Sequence, residues 1–201
     1  LARQAAAMTG ELSPASGIGR ASVFDMSFAT VCLLCLMPVM LLVIVAILID
    51  TGWPVFFSQT RLGQHGRRFR LYKFRKFRAW TPTAGGALTV SNDPRMTRVG
   101  WFLERTKLDE LPQLWNVLKG EMAVLGPRPE TPHFEDCFAL GYSRVLHYKP
   151  GILGPAQAMF RNESALYSKD QDPEILYRNV LFPAKARIDL AYYPQRTVLG
   201  D

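Results

Sequence analysis

The sequence predicts an α-rich α+β protein, with a membrane-embedded helical segment ahead of one compact domain of amphipathic helices and a few short strands. Three observations predict this. Residues 26–49 form an uncharged run of 24, between Asp25 and Asp50, about the length of a bilayer-embedded helix. Leu108, Leu111, Leu114, Trp115 and Leu118 recur at the spacing of one helical face. Strand-like stretches such as Trp53–Ser58 are short, and 201 residues support one core but not two comfortable ones.

The elements follow in order. Residues 1–20 are small and polar and read as a flexible lead-in. Residues 21–50 form the membrane-embedded part. A cleavable signal peptide fits it poorly, because the run exceeds a signal core and no small-x-small site follows. Pro38 lies mid-run, where proline removes a helical hydrogen bond and predicts a kink. Two geometries remain open from this alone: a kinked helix crossing the bilayer, or a break that turns the segment back to the same face.

Residues 51–201 form the remaining domain. It opens with basic residues from Arg61 to Arg78, and no acid lies between Thr51 and Asn92. Such a block stays cytoplasmic. Its interleaved Phe69, Leu71, Tyr72, Phe74 and Phe77 read as a surface for anionic headgroups. Thr81–Gly86 is a turn-rich break, and Pro94–Glu104 predicts a short helix entering the site. The periodic stretch Leu108–Leu118 predicts a helix with Pro112 in its first turn and Gly120 as its stop. Gly126–Pro129 reads as a rigid basic turn, Lys149–Gln157 as a second Gly/Pro loop, and Pro173–Tyr193 as a closing helix.

The 24 basic against 17 acidic residues leave a net charge of +7, which suits anionic partners without choosing among them. Cys32 and Cys35 sit inside the apolar run and read as small lipid-facing or buried residues, not as a redox pair. The sequence has no P-loop, dinucleotide glycine pattern or nucleophile elbow. His133, Glu135 and Asp136 cluster, but their spacing makes a poor metal site. A nucleic-acid partner is not expected, because it leaves the apolar run unexplained. The chain opens on Leu1, which leaves open whether residues precede it.

What remains is Asp109-Glu110, flanked by Arg105 and Lys107, together with the two Gly/Pro loops bearing Arg128 and Lys149. Adjacent carboxylates at a helix start are usually only a solvated end. Here they share a neighbourhood with basic residues and a membrane segment, a combination that suits phosphoryl chemistry. A carboxylate can ligate Mg²⁺ or attack phosphorus, while cations neutralise phosphate oxygens.

The ordered string from Leu108-Asp109-Glu110-Leu111-Pro112 through Trp115-Asn116 to Gly120-Glu121-Met122, then Leu125-Gly126-Pro127-Arg128-Pro129, resembles the bacterial sugar transferase family. These are the monotopic phosphoglycosyl transferases that begin glycoconjugate and polysaccharide assembly. Phe57–Gly63, Tyr72–Arg75 and Lys149–Gln157 extend the resemblance to roughly residues 18–193.

The resemblance implies an N-terminal re-entrant helix-break-helix hairpin, broken at Pro38, and a compact cytosol-facing catalytic domain on the bacterial inner membrane. Met37 stands where the family usually has serine. The implied reaction moves a phosphosugar from a UDP-sugar to polyprenyl (undecaprenyl) phosphate and releases UMP. Asp109 is the implied nucleophile, Glu110 assists, and both are implied Mg²⁺ ligands. Arg105, Arg128 and Lys149 are candidate phosphate contacts; Gln157 and Asp189 match further substrate-binding positions. Lys107 stands where a small polar residue is usual. The oligomeric state stays open. A non-enzymatic membrane-surface adaptor, holding anionic lipid through residues 61–78, is the competing reading.

Overall fold

The computed structural model describes residues 18–78, 93, 95–167 and 172–196. In chain order it contains α1 (Ile18–Thr51), β1 (Phe56–Leu62), β2 (Arg68–Phe74), α2 (Arg98–Thr106), α3 (Gln113–Leu118), β3 (Ala123–Leu125), β4 (Gly151–Leu153), α4 (Pro155–Met159), α5 (Pro173–Leu176) and α6 (Phe182–Tyr192). A π-helical turn, Tyr177–Leu181, joins α5 to α6, and short 3-10 turns occupy much of the remaining loop. The expected lead-in through residue 17 and the Thr81–Gly86 break lie outside the described residues.

The hairpin β1–β2 is the spine of the domain. It is antiparallel, with Phe57 opposite Lys73 and Arg61 opposite Phe69. Strand geometry turns alternate residues to opposite faces, so the hairpin feeds three apolar clusters. Leu62 packs with Phe134, Phe138, Tyr177 and Phe182. Phe69 and Leu71 pack with Ala29, Leu114, Val117 and Met122. Phe74 packs with Val43, Ile47, Val55 and Leu103. The aromatic and apolar residues expected at a headgroup surface are therefore largely core: Phe69, Leu71 and Phe74 are buried, while Arg68 and Arg70 are exposed. Period-two alternation on a strand separates what looked like one mixed surface.

Helix α1 is helical without interruption, and Pro38 lies inside it, so the break expected there is not seen. Proline forfeits one backbone bond and crowds one carbonyl, a cost of about 3 kcal/mol in a helix interior. Packing on both sides of Pro38 opposes that cost. Ala29, Cys32, Leu33 and Leu36 contact one cluster; Met40, Val43, Ile44 and Ile47 contact another. These residues form a stripe, and the opposite face, including Leu34, Leu41, Leu42 and Val45, is exposed. By length and composition, Val23–Thr51 could cross a membrane.

Both ends of α1 are nevertheless tied to the same domain. Near its start, Asp25 Oδ1 accepts from Val124 N at 3.2 Å. At its end, Arg75 donates to Thr51 O at 2.9 Å and Gly52 O at 2.6 Å.

Two further contacts fix the interior. Asn116 is fully buried; its Oδ1 accepts from Tyr72 N at 3.1 Å and its Nδ2 donates to Arg70 O at 2.7 Å, clamping α3 to β2. Strands β3 and β4 are parallel, with Ala123 opposite Gly151. A Cβ on Gly151 would come 2.0 Å from Gly126 N, so glycine alone permits this approach.

Candidate active site

The acid pair, which the sequence puts at or just before the start of the Leu108–Leu118 helix, lies just before the helix that forms. Helix α3 begins only at Gln113, and Leu108–Glu110 is a separate 3-10 turn. With a six-residue helix starting three residues later, no long helix end faces the carboxylates. Their environment comes from side chains instead. Helix α2 starts with Thr97, whose Oγ1 accepts from Gly100 N at 2.8 Å, and ends where Lys107 adopts left-handed backbone, φ 62. That residue reverses the chain into the acid turn. Leu108 and Leu111 then pack against the cluster holding Phe74 and Leu103, and Asp109 is left 3% exposed.

The two carboxylates have different surroundings. Glu110 Oε1 accepts from Lys73 Nζ at 2.8 Å and lies 3.6 Å from Arg128 Nη2. Burial pushes the Glu110 carboxyl up, but Lys73 and Arg128 outweigh it, and the net is well below the usual carboxylate range. Asp109 Oδ1 is buried and has no hydrogen-bond partner among the described residues. Burial raises its pKa, against the pull of Lys73 and Lys76. One acid is thus held ionised between cations, and the other carries an unengaged oxygen.

Around them lies a cavity of about 1100 Å³. Eight basic and six acidic described side chains line it, so it favours an anionic occupant. Arg61 is part of the same wall. Its guanidinium donates to Pro129 O at 3.2 Å and Gln59 Oε1 at 2.9 Å. Burial, then repulsion from Arg128, lowers its pKa to about 10. Farther along the wall, Tyr177 of the π turn donates to Glu130 Oε1 at 2.6 Å. Glu163 accepts from Tyr167 at 2.6 Å and pairs with Lys185.

The residues singled out from sequence divide. Asp109, Glu110, Arg128, Gln157 and Asp189 all line the cavity. Gln157 Oε1 and Asp189 Oδ1 are buried without a hydrogen-bond partner among the described residues. Burial, with Glu130 adding to it, pushes the Asp189 carboxyl up to about 7. Arg105 and Lys149 do not line the cavity. Arg105 lies over the Trp101 ring at 5.2 Å, because α2 turns consecutive residues to different faces. Lys149 lies in the loop just before β4. The His133, Glu135 and Asp136 group is a surface ion-pair set, with Glu174 bridging His133 and Arg178. No group of three His, Cys, Asp or Glu suited to a metal occurs among the described residues.

Sequence alone groups Lys73 and Arg61 with a membrane flank, whereas the structure puts both on the cavity wall. The signal was present: Phe69, Leu71 and Lys73 alternate on one strand face, and a lysine continuing a buried face needs a carboxylate partner. Tyr177, Glu163 and Lys185 carried no comparable signal, since only the packing of α6 brings them to the wall.

Comparison with known proteins gives a consistent family. The family model described as bacterial sugar transferase matches residues 19–201. The chain is 41% identical over 150 residues to UDP-glucose:undecaprenyl-phosphate glucose-1-phosphate transferase of Escherichia coli, covering 72% of this chain and 32% of that protein. It is 45% identical over 149 residues to the exopolysaccharide production protein PSS of Rhizobium leguminosarum, covering 67% of this chain and 70% of that one. It is 41% identical over 125 residues to UDP-N-acetylgalactosamine-undecaprenyl-phosphate N-acetylgalactosaminephosphotransferase of Aeromonas hydrophila, covering 61% and 30%. The chain therefore spans about a third of the Escherichia and Aeromonas proteins.

Proposed function

The chain belongs to the bacterial sugar transferase family, and from that premise we propose that it transfers a phosphosugar from a UDP-sugar to polyprenyl phosphate, releasing UMP. The observation that carries this reading is the unpartnered oxygen of buried Asp109, beside an ion-paired Glu110, in a cavity rich in cations. A named relative transfers glucose 1-phosphate from UDP-glucose to undecaprenyl phosphate, which supports the same donor and acceptor classes here.

In the first step an Asp109 oxygen attacks the phosphorus attached to the sugar. The bond from that phosphorus to the bridging oxygen breaks, and UMP leaves with the electron pair. In the second step a phosphate oxygen of the acceptor attacks the same phosphorus. Asp109 leaves as carboxylate, and polyprenyl-diphosphosugar forms. Lys73 and Arg128 are held at the site by Glu110 and lie where they can neutralise phosphate oxygens. Arg128 is fixed between Pro127 and Pro129, and its fork suits bidentate phosphate contact.

A Mg²⁺ ion fits the donor set, since one or two carboxylates with phosphate oxygens is its usual arrangement. Asp109 and Glu110 would hold it, and when bound it would lower the repulsion between an anionic nucleophile and an anionic donor.

We place the site at the cytoplasmic face of the bacterial inner membrane, with α1 entering and leaving from one side. The support is the docking of Asp25 and Thr51, at opposite ends of α1, to one domain.

The test incubates the purified protein with Mg²⁺, undecaprenyl phosphate and a panel of UDP-sugars. Release of UMP with at least one donor is expected. UDP as product would mean ordinary glycosyl transfer, and inertness to every donor would leave the adaptor reading standing.

A further inference from the structure

We infer that Lys107 is a further catalytic residue, whose ammonium contacts the phosphate of the departing UMP and neutralises the charge that builds there. The inference rests on the proposed transfer reaction and assigns one group to its first step. Lys107 is exposed and lines the same cavity as Asp109 and Glu110. Its charge reaches both acids, as does that of Lys73, while Arg128 acts on Glu110 and Lys76 on Asp109.

Three of these four cations have a carboxylate partner. Lys73 Nζ lies 2.8 Å and Arg128 Nη2 3.6 Å from Glu110 Oε1, and Lys76 Nζ lies 3.2 Å from Glu104 Oε2. Lys107 makes no side-chain hydrogen bond or ion pair among the described residues. Its backbone is left-handed, φ 62 and ψ 15, a conformation glycine adopts at less cost. The chain thus keeps an uncommitted ammonium beside the acid turn at the expense of strain, as functional sites do.

In the first step the electron pair of the broken bond goes to the bridging oxygen, and the phosphate of UMP gains one negative charge. Attacking and leaving oxygens lie roughly in line, so that charge develops on the side of phosphorus away from Asp109. Lys73 and Arg128, held by Glu110, serve the oxygens that stay with the transferred phosphate. An unpaired ammonium on a four-carbon stem can follow the departing one, and a cation stabilises most where charge develops. In the second step Asp109 is the leaving group and UMP has gone, so Lys107 has no such task.

The experiment compares Lys107→Ala and Lys107→Gly with the unsubstituted protein, all with Mg²⁺. Each is followed for the rate of covalent labelling by the UDP-sugar without acceptor. The labelled protein is then followed for the rate of its discharge by undecaprenyl phosphate. Both variants should slow labelling about 100-fold, the scale of one lost charge contact in a transition state. Both should leave discharge within about three-fold of the parent. Glycine relieves the strained turn, so its slow labelling does not come from a misfolded site. Labelling at the parent rate in either variant, or equal slowing of both steps, overturns the inference. Absence of labelling in the unsubstituted protein is a different outcome, and it counts against the transfer reaction itself.

Discussion

At the scale of single residues, the difference between Asp109 and Glu110 is the feature on which the proposed chemistry depends. The sequence identifies the pair but cannot separate them, because both precede the same proline and share the same flanks. Separation comes from Lys73, which lies 36 residues before Asp109 and reaches Glu110 only because β2 packs beside the acid turn. Replacing Lys73 with Met leaves Glu110 without its closest cation. Such a loss inside a largely buried pair costs about 3 kcal/mol, and turnover should fall at least 100-fold. Adding Glu110→Gln should recover most of the stability and none of the turnover, which thermal melts and UMP release would separate.

Asp189 gives a pH-dependent prediction. Its folded pKa, about 7, lies above the ordinary 3.8, so the native state holds a proton that the unfolded chain has lost. Stability through this group is intact below about pH 4 and declines as pH rises towards 8, by about 4 kcal/mol in all. Melting of the detergent-solubilised protein should show Asp189→Asn gaining on the parent across that window. An Asp189→Asn protein that loses stability relative to the parent as pH rises would contradict it.

At the scale of elements, the legible parts were those set by local periodicity and turn chemistry. The long apolar segment, the closing helical stretch from Pro173 and the glycine-rich approach at Gly126 and Gly151 are all visible in the sequence. The acid turn was less legible. A single apolar spacing runs through Leu108–Leu118, yet the chain spends Leu108–Glu110 in a 3-10 turn before α3 begins. The cause is Lys107, whose left-handed backbone at φ 62 ends α2 and redirects the chain. A non-glycine residue there carries strain of about 1 kcal/mol. Lys107→Gly should therefore raise the melting temperature by about 3 °C, while Lys107→Ala, which keeps the strain, should not. A higher melting temperature for both would trace the effect to the lost charge instead.

The whole molecule shows where sequence pattern stops being informative. Length and hydropathy make α1 long and apolar enough to cross a membrane, but do not give which way its ends face. Pro38 suggested a break, whereas the structure keeps the helix and ties both of its ends to one domain. That docking supports the proposal that both ends face one side. In a cysteine-free background, single cysteines at Phe24 and Trp53, both exposed, should be labelled by an impermeant reagent from the same face of sealed vesicles. Labelling from opposite faces would contradict the one-sided arrangement. The domain also explains why an acid pair and a membrane helix occur in one short chain: one cavity touches both.

The most direct test of the central claim asks whether the sugar phosphate is carried on Asp109. Purified protein is incubated with a UDP-sugar labelled in the phosphate next to the sugar, without lipid acceptor, then denatured and digested. The account predicts a labelled phosphosugar on the peptide containing Asp109, discharged when undecaprenyl phosphate is added first, and no labelling or turnover in Asp109→Asn. Turnover that persists in Asp109→Asn, or label on any other side chain, would contradict it.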